Sequence, residues 1–135
     1  MIAVDTSAII AVVQLEPEAV QFTRCMEEAD SGCLSAVSLQ EALMVLAGRR
    51  GDTAVWALLD QMIRDLELEI VSHDAALARI ASDAFLRFGK GRHPARLNCG
   101  DCASYALAKS RDIPLLFKGD DFAKTDIIPA LAAPA

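Results

Sequence analysis

At 135 residues and 14.5 kDa the chain has the length of one domain that buries most of its unfolded surface without disulfide or metal staples. Hydrophobic residues at 53% with charged residues at 24% exclude a disordered or collagen-like chain. Thirteen basic against 19 acidic residues leave a net charge of -6, which excludes a protein that grips nucleic acid over its whole surface but leaves room for a local basic patch.

No purely apolar run is longer than Ala8 to Val13, which is too short to cross a bilayer, and no basic residue precedes Arg24, so the chain is expected to be cytoplasmic, without a signal or membrane segment. Cys25, Cys33, Cys99 and Cys102 are too sparse for a disulfide scaffold and are read as reduced thiols.

Met1-Ile2-Ala3-Val4 is an apolar run that stops at Asp5-Thr6-Ser7, three residues that all cap helices, and predicts buried strand, turn and helix. Ala19, Phe22, Met26 and Ala29 keep helical spacing until Asp30-Ser31-Gly32 breaks it, and Cys33 to Val37 is a second strand. Ser38 with Glu41 three residues on reads as a capping box opening a helix that runs to Arg50-Gly51. Val55, Leu58, Leu59, Met62, Ile63 and Leu66 form a second apolar stripe, followed by a strand from Leu68 to Val71. A third stripe comprises Leu77, Ile80, Ala81, Ala84, Phe85 and Phe88, and ends in the loop Gly89 to Pro94. Asn98-Cys99-Gly100-Asp101 caps a helix to about Asp112; Pro114 to Phe117 is the fourth strand, and Ile127-Ile128 a possible last one. Short apolar strands alternating with longer helices predict one α/β domain over residues 1–135, a mainly parallel sheet of four or five strands covered on both faces.

In such sheets sites gather at the carboxyl ends of the strands, and the residues expected there are acids. Asp5 follows strand one, Glu41 is expected in the first turn of the helix after strand two, Asp101 opens the helix before strand four, and Asp120 and Asp121 follow that strand. Each alone could be a plain cap or turn residue. Four segments bringing carboxylates to one edge call for protons or a cation, since like charges held close repel. Mg²⁺ or Mn²⁺ suits oxygen ligands, and phosphodiester hydrolysis is the chemistry such a site performs well.

The first 85 residues carry a charge of -9, whereas Leu86 to Lys124 carries +4, which favours a polyanionic substrate. Lys90 and Arg92, set between Gly89 and Gly91, are candidate phosphate contacts, with His93 as their neighbour and His73 as a loop residue. Cys99-Gly100-Asp101-Cys102 is a C-x-x-C with no second pair at ligand spacing, so both thiols are read as small residues flanking Asp101.

With these segments placed, the chain resembles the PIN-domain ribonucleases, and more narrowly the VapC-type toxins of bacterial toxin-antitoxin pairs. The likeness is carried by MIAVDTS (Met1 to Ser7), SAVSLQEALMVLAG (Ser35 to Gly48), FGKGRHPARLNCGDCASYALA (Phe88 to Ala108) and PLLFKGDDFAKTD (Pro114 to Asp126). The resemblance implies a three-layer α/β/α sandwich, a Mg²⁺- or Mn²⁺-dependent endoribonuclease acting on RNA, a homodimer, and inhibition by a small antitoxin protein. By position, Asp5 and Asp101 look like the metal ligands, Glu41 and Asp121 complete the catalytic carboxylates, and Ser7 and Thr125 look like hydroxyls that orient water or phosphate. The likeness also favours Asp121 over Asp120 as the fourth acid. The Val55 to Leu66 stripe beside Trp56 is the expected source of dimer surface.

Two other functions fit parts of the pattern. A Mg²⁺-binding receiver module would need a phospho-acceptor Asp ending a central strand, whereas strand three ends in Val71-Ser72-His73-Asp74 at a helix start. A catalytically silent PIN fold that only binds protein would leave the full acid set without a purpose.

Overall fold

The computed structural model describes residues 1–132. In chain order it comprises β1 (Ile2–Val4), α1 (Thr6–Val13), α2 (Ala19–Glu28), β2 (Gly32–Ser35), α3 (Ala36–Arg50), α4 (Trp56–Asp65), β3 (Glu69–Val71), α5 (Ala75–Phe88), α6 (Cys99–Arg111) and β4 (Leu115–Leu116), then a 3-10 turn at Phe122–Lys124. The strands form one sheet in the order β3-β2-β1-β4, and every pairing is parallel. The strand order reverses between β1 and β4, so the carboxyl ends of these two strands flank the sheet's crevice.

The period-2 alternation of the strands sorts the core into two halves. Ile2, Val4, Leu34 and Leu116 point to one face, where Ile9, Phe22, Leu46 and Leu59 of α1, α2, α3 and α4 cover them. Ala3, Cys33 and Leu115 point to the other face, under Ala84 of α5 and Ala106 and Leu107 of α6. Leu34 is completely buried, and a side chain of that size contributes about 2 kcal/mol on burial. Three layers, α/β/α, result.

Helix ends follow from local chemistry. Asp5, with extended backbone, caps α1 by accepting from Ser7 N, and Asp74 caps α5 through Leu77 N. Gly51 closes α3 at φ 77°, a left-handed conformation that costs glycine little.

Several sequence expectations change here. Ser38 does not cap α3; Ser35 does, accepting from Val37 N, and Ser38 lies fully buried inside the helix. Strand two therefore ends at Ser35, its last partner being Val71, and Glu41 stands in the second turn of α3. Ile127-Ile128 is not a strand: a single parallel bridge joins Leu115 to Pro129, with Leu115 N donating to Ile128 O. Phe85, expected in the core, is 40% exposed, because α5 meets α6 through the small residues Ala81 and Ala84 against Cys102 and Ala106. Trp56, at the start of the stripe offered above as dimer surface, is half-buried: it donates its indole N–H to Leu43 O at 2.8 Å and packs on the core.

Among the described residues no helix is long and apolar enough to cross a membrane.

Candidate active site

Asp5 sits where β1 ends at the sheet's crevice, and although only 4% exposed it has a donor for each carboxylate oxygen. Its Oδ2 accepts from Ser7 N at 3.0 Å and Ser7 Oγ at 2.7 Å. Its Oδ1 accepts from Ser104 Oγ at 2.6 Å. Because the Ser104 proton goes to Asp5, Ser104 accepts in turn from Ser38 Oγ, 3.0 Å away. Ser7 Oγ also accepts from Lys118 N at 3.0 Å, which ties the segment after β4 to the same carboxylate. Charge-assisted bonds of this kind are short and strong, and together they hold Asp5 in one orientation.

Asp101 approaches from α6. Its position is set by a capping box in which Asn98 Oδ1 accepts from Asp101 N at 2.9 Å while Asp101 Oδ2 accepts from Asn98 N at 3.0 Å. Burial pushes the Asp101 carboxyl up to about 6, against the lowering effect of the Asn98 N–H, and the charges of Asp5, Glu41 and Asp121 push it the same way as burial. Glu41 completes the group from α3, with Thr6 Oγ1 2.8 Å from its Oε1. The first turn of α6 meets Glu41 closely: a Cβ on Gly100 would stand 2.6 Å from Glu41 Oε1 and 2.8 Å from Oε2. Only glycine leaves space for that carboxylate at the helix N-terminus, where the backbone dipoles favour negative charge.

Asp5, Glu41 and Asp101 line a cleft of about 370 Å³. Among the described residues no Lys, Arg or His forms a salt bridge to Asp5, Glu41, Asp101 or Asp121. Crowded carboxylates without a salt-bridged partner fit a hard divalent cation. No three potential ligands among the described residues converge on one point.

The other sequence candidates separate. Asp121 is outside the cleft lining but near enough for its charge to raise Asp101, whereas Asp120 lines a different hollow with Phe22 and Phe117; Gly119, at φ 97°, turns the chain just before both. Thr125 does not reach the cleft lining; its Oγ1 donates to Phe122 O at 2.7 Å and accepts from Ile127 N at 3.1 Å, holding its own turn. Lys90 and Arg92 are exposed on the loop between α5 and α6 and are also outside that lining. His93 Nδ1 accepts from Ala95 N, and the ring meets Phe88 edge-on, which makes it a packing residue. Cys99 and Cys102 are free thiols, one exposed and one buried, beside an apolar groove that also takes in His73 and Phe85.

Ser104, Thr6, Arg49 and Lys118 were not singled out from sequence. Ser104 follows Asp101 by one helical turn, and Arg49 follows Glu41 by eight residues on α3, so both share a face with an acid already identified. That spacing was the available signal.

The chain matches the model of the PIN domain over residues 2–128 and belongs to the PIN-domain family. Among its relatives are VapC ribonucleases. Ribonuclease VapC42 of Mycobacterium tuberculosis is 42% identical over 128 residues, spanning 94% of this chain and 97% of the relative. Ribonuclease VapC28 of the same species is 43% identical over 129 residues, spanning 95% and 96%. The crystal structure of Mycobacterium tuberculosis VapC20, a sarcin-ricin loop cleaving toxin, has a TM-score of 0.76 at 20% identity and covers 95% of this chain and 97% of its own. A toxin-antitoxin complex from Klebsiella pneumoniae has a TM-score of 0.69 at 18% identity, with 100% and 98% covered. These two structures establish the shared fold.

Proposed function

We propose that this protein is a Mg²⁺- or Mn²⁺-dependent endoribonuclease and the toxin of a toxin-antitoxin pair, held inactive by a small antitoxin protein. The observation that carries the reading is the meeting of Asp5, Glu41 and Asp101 in one cleft at the β1–β4 crevice, with Asp121 near enough to act on Asp101 and, among the described residues, no salt bridge to any of the four. The ribonuclease names of relatives above 40% identity support it, and the Klebsiella complex supports an antitoxin partner.

Asp5 and Asp101 are the residues that would hold the ion, with Glu41 and Asp121 acting on it through water. A bound divalent ion supplies an activated water and stabilises charge on the phosphoryl oxygens. Ser7 and Ser104 keep Asp5 facing the cleft, and the α6 capping box keeps Asp101 there. Glu41 is held by Thr6 and admitted by Gly100.

Incubation of the purified protein with total RNA, with Mg²⁺, with Mn²⁺ and with EDTA, tests the reading. Discrete cleavage products that need the ion are expected; intact RNA under every condition overturns it. Labelling by acetyl phosphate would instead mark a receiver module. We also propose a homodimer, whose surface includes the exposed Met44 of α3 and Leu58 of α4; a strictly monomeric sedimentation profile at high micromolar concentration counts against it.

A further inference from the structure

The cleft has a second end that the acids do not use. On α3, Glu41, Val45 and Arg49 succeed one another at four-residue intervals, and all three line the cleft. Eight residues of helix place Arg49 about 12 Å from the Glu41 level. Lys118, just past β4, lines the same end, anchored by its backbone bond to Ser7 Oγ.

Both cations rest on one carboxylate, Glu16. Lys118 Nζ lies 2.9 Å from Glu16 Oε1 and 3.1 Å from Glu18 Oε2, and Arg49 Nη1 lies 3.8 Å from Glu16 Oε2 while also donating to Gln14 Oε1. The chain reverses sharply to bring Glu16 there: Leu15 adopts φ 52°, and Glu16 N donates back to Ala11 O at 2.8 Å. Leu15 is itself 84% exposed, so packing of that side chain does not explain the left-handed turn. The side chains of Arg49, Lys118 and Glu16 are 53%, 39% and 25% exposed, and ion pairs this open to solvent are weak. A phosphate entering the cleft can therefore replace the carboxylate at little cost.

We propose that Arg49 and Lys118 form a phosphate-binding end of the cleft, which holds the RNA backbone beyond the bond that is cut, and that Glu16 occupies both cations until RNA displaces it. This inference rests on the ribonuclease reading above. Arg49 and Lys118 are substrate-binding residues under it, and Glu16 is an internal stand-in for phosphate. The acids bind the ion at one end, and the cations fix the register of the strand from the other.

The test uses total RNA for cleavage and a fluorescein-labelled single-stranded RNA of mixed sequence for binding, the latter in EDTA so that nothing is cut. Arg49→Gln and Lys118→Gln should each raise KM about tenfold with kcat nearly unchanged, and should reduce the slope of log affinity against log salt by about 0.7 per lost contact. Arg49→Lys should recover most of the binding, since the site asks for charge. Glu16→Gln should lower KM severalfold. Thermal unfolding midpoints near that of the parent establish that these exposed changes leave the fold intact. Parental KM and salt slope in Arg49→Gln and Lys118→Gln, with a parent that cleaves RNA, overturn the phosphate site alone. A raised KM in Glu16→Gln overturns the stand-in role, and a parent that neither binds nor cleaves RNA overturns the ribonuclease reading itself.

Discussion

Ser104 and Asp5 are 99 positions apart in the chain, yet Ser104 Oγ donates to Asp5 Oδ1 at 2.6 Å. The bond is buried, and it joins the end of β1 to the second turn of α6, so the two elements that supply Asp5 and Asp101 are locked to one another. Ser104→Ala removes a donor from a buried carboxylate and strands Ser38 Oγ as well. Such a loss costs about 1–2 kcal/mol of stability and about tenfold in RNA cleavage, the scale seen when a residue supporting a metal ligand is removed. Thermal unfolding and a cleavage assay on the same preparation measure both; parental activity in the variant would mean Asp5 does not need this support.

Asp5→Asn and Asp101→Asn each remove one carboxylate charge while keeping its shape. Both variants should retain the far-UV dichroism of the parent and lose ion-dependent cleavage. Calorimetric titration with Mn²⁺ should show binding weakened about 10- to 100-fold or lost. Parental Mn²⁺ binding together with parental cleavage in either variant would remove that residue from the ion site.

Stability of the ion-free protein should depend on pH with a sign set by Asp101. Its carboxyl is pushed up to about 6 in the fold, by burial first and by neighbouring acids in addition, whereas in the unfolded chain it titrates in the ordinary carboxylate range. Between those values the folded state holds a proton that the unfolded state has released. Stability from this group is therefore present at low pH and is lost as pH rises through about 6. In EDTA the parent should melt at higher temperature near pH 5 than near pH 7.5, and Asp101→Asn should flatten that difference. An equal pH dependence in the two proteins would place its origin elsewhere.

Asp121→Asn should reduce cleavage about tenfold or more, whereas Asp120→Asn should change it little. Gly119 turns the chain between β4 and these two acids, and only Asp121 contributes to the charge felt by Asp101. A dead Asp120→Asn beside an active Asp121→Asn would reverse the assignment.

Features that depend on a residue and its close neighbours were readable from the chain alone. The Asp5 cap, the Asn98–Asp101 capping box, the ends of α3 at Gly51 and of β4 before Gly119, and the alternation of short strands with helices all rest on local backbone chemistry. The acid set was legible for a related reason: a parallel sheet delivers whatever follows its strands to one edge. Residues paired across the fold were not legible. Ser35 and Ser38 are equally good caps by local chemistry, and the choice was made by the ladder to Val71, which ends β2 at Ser35, and by Ser104, which takes Ser38 into the interior. In the same way Thr125 was absorbed by its own turn, while Glu16, Arg49 and Lys118 met at the cleft. Helix spacing puts Arg49 on the face of Glu41, but no local rule brings Glu16 or Lys118 to meet it. That meeting is made by the packing of α1 against α3 and by the bond from Lys118 N to Ser7 Oγ, and it decides which charges an incoming strand would encounter.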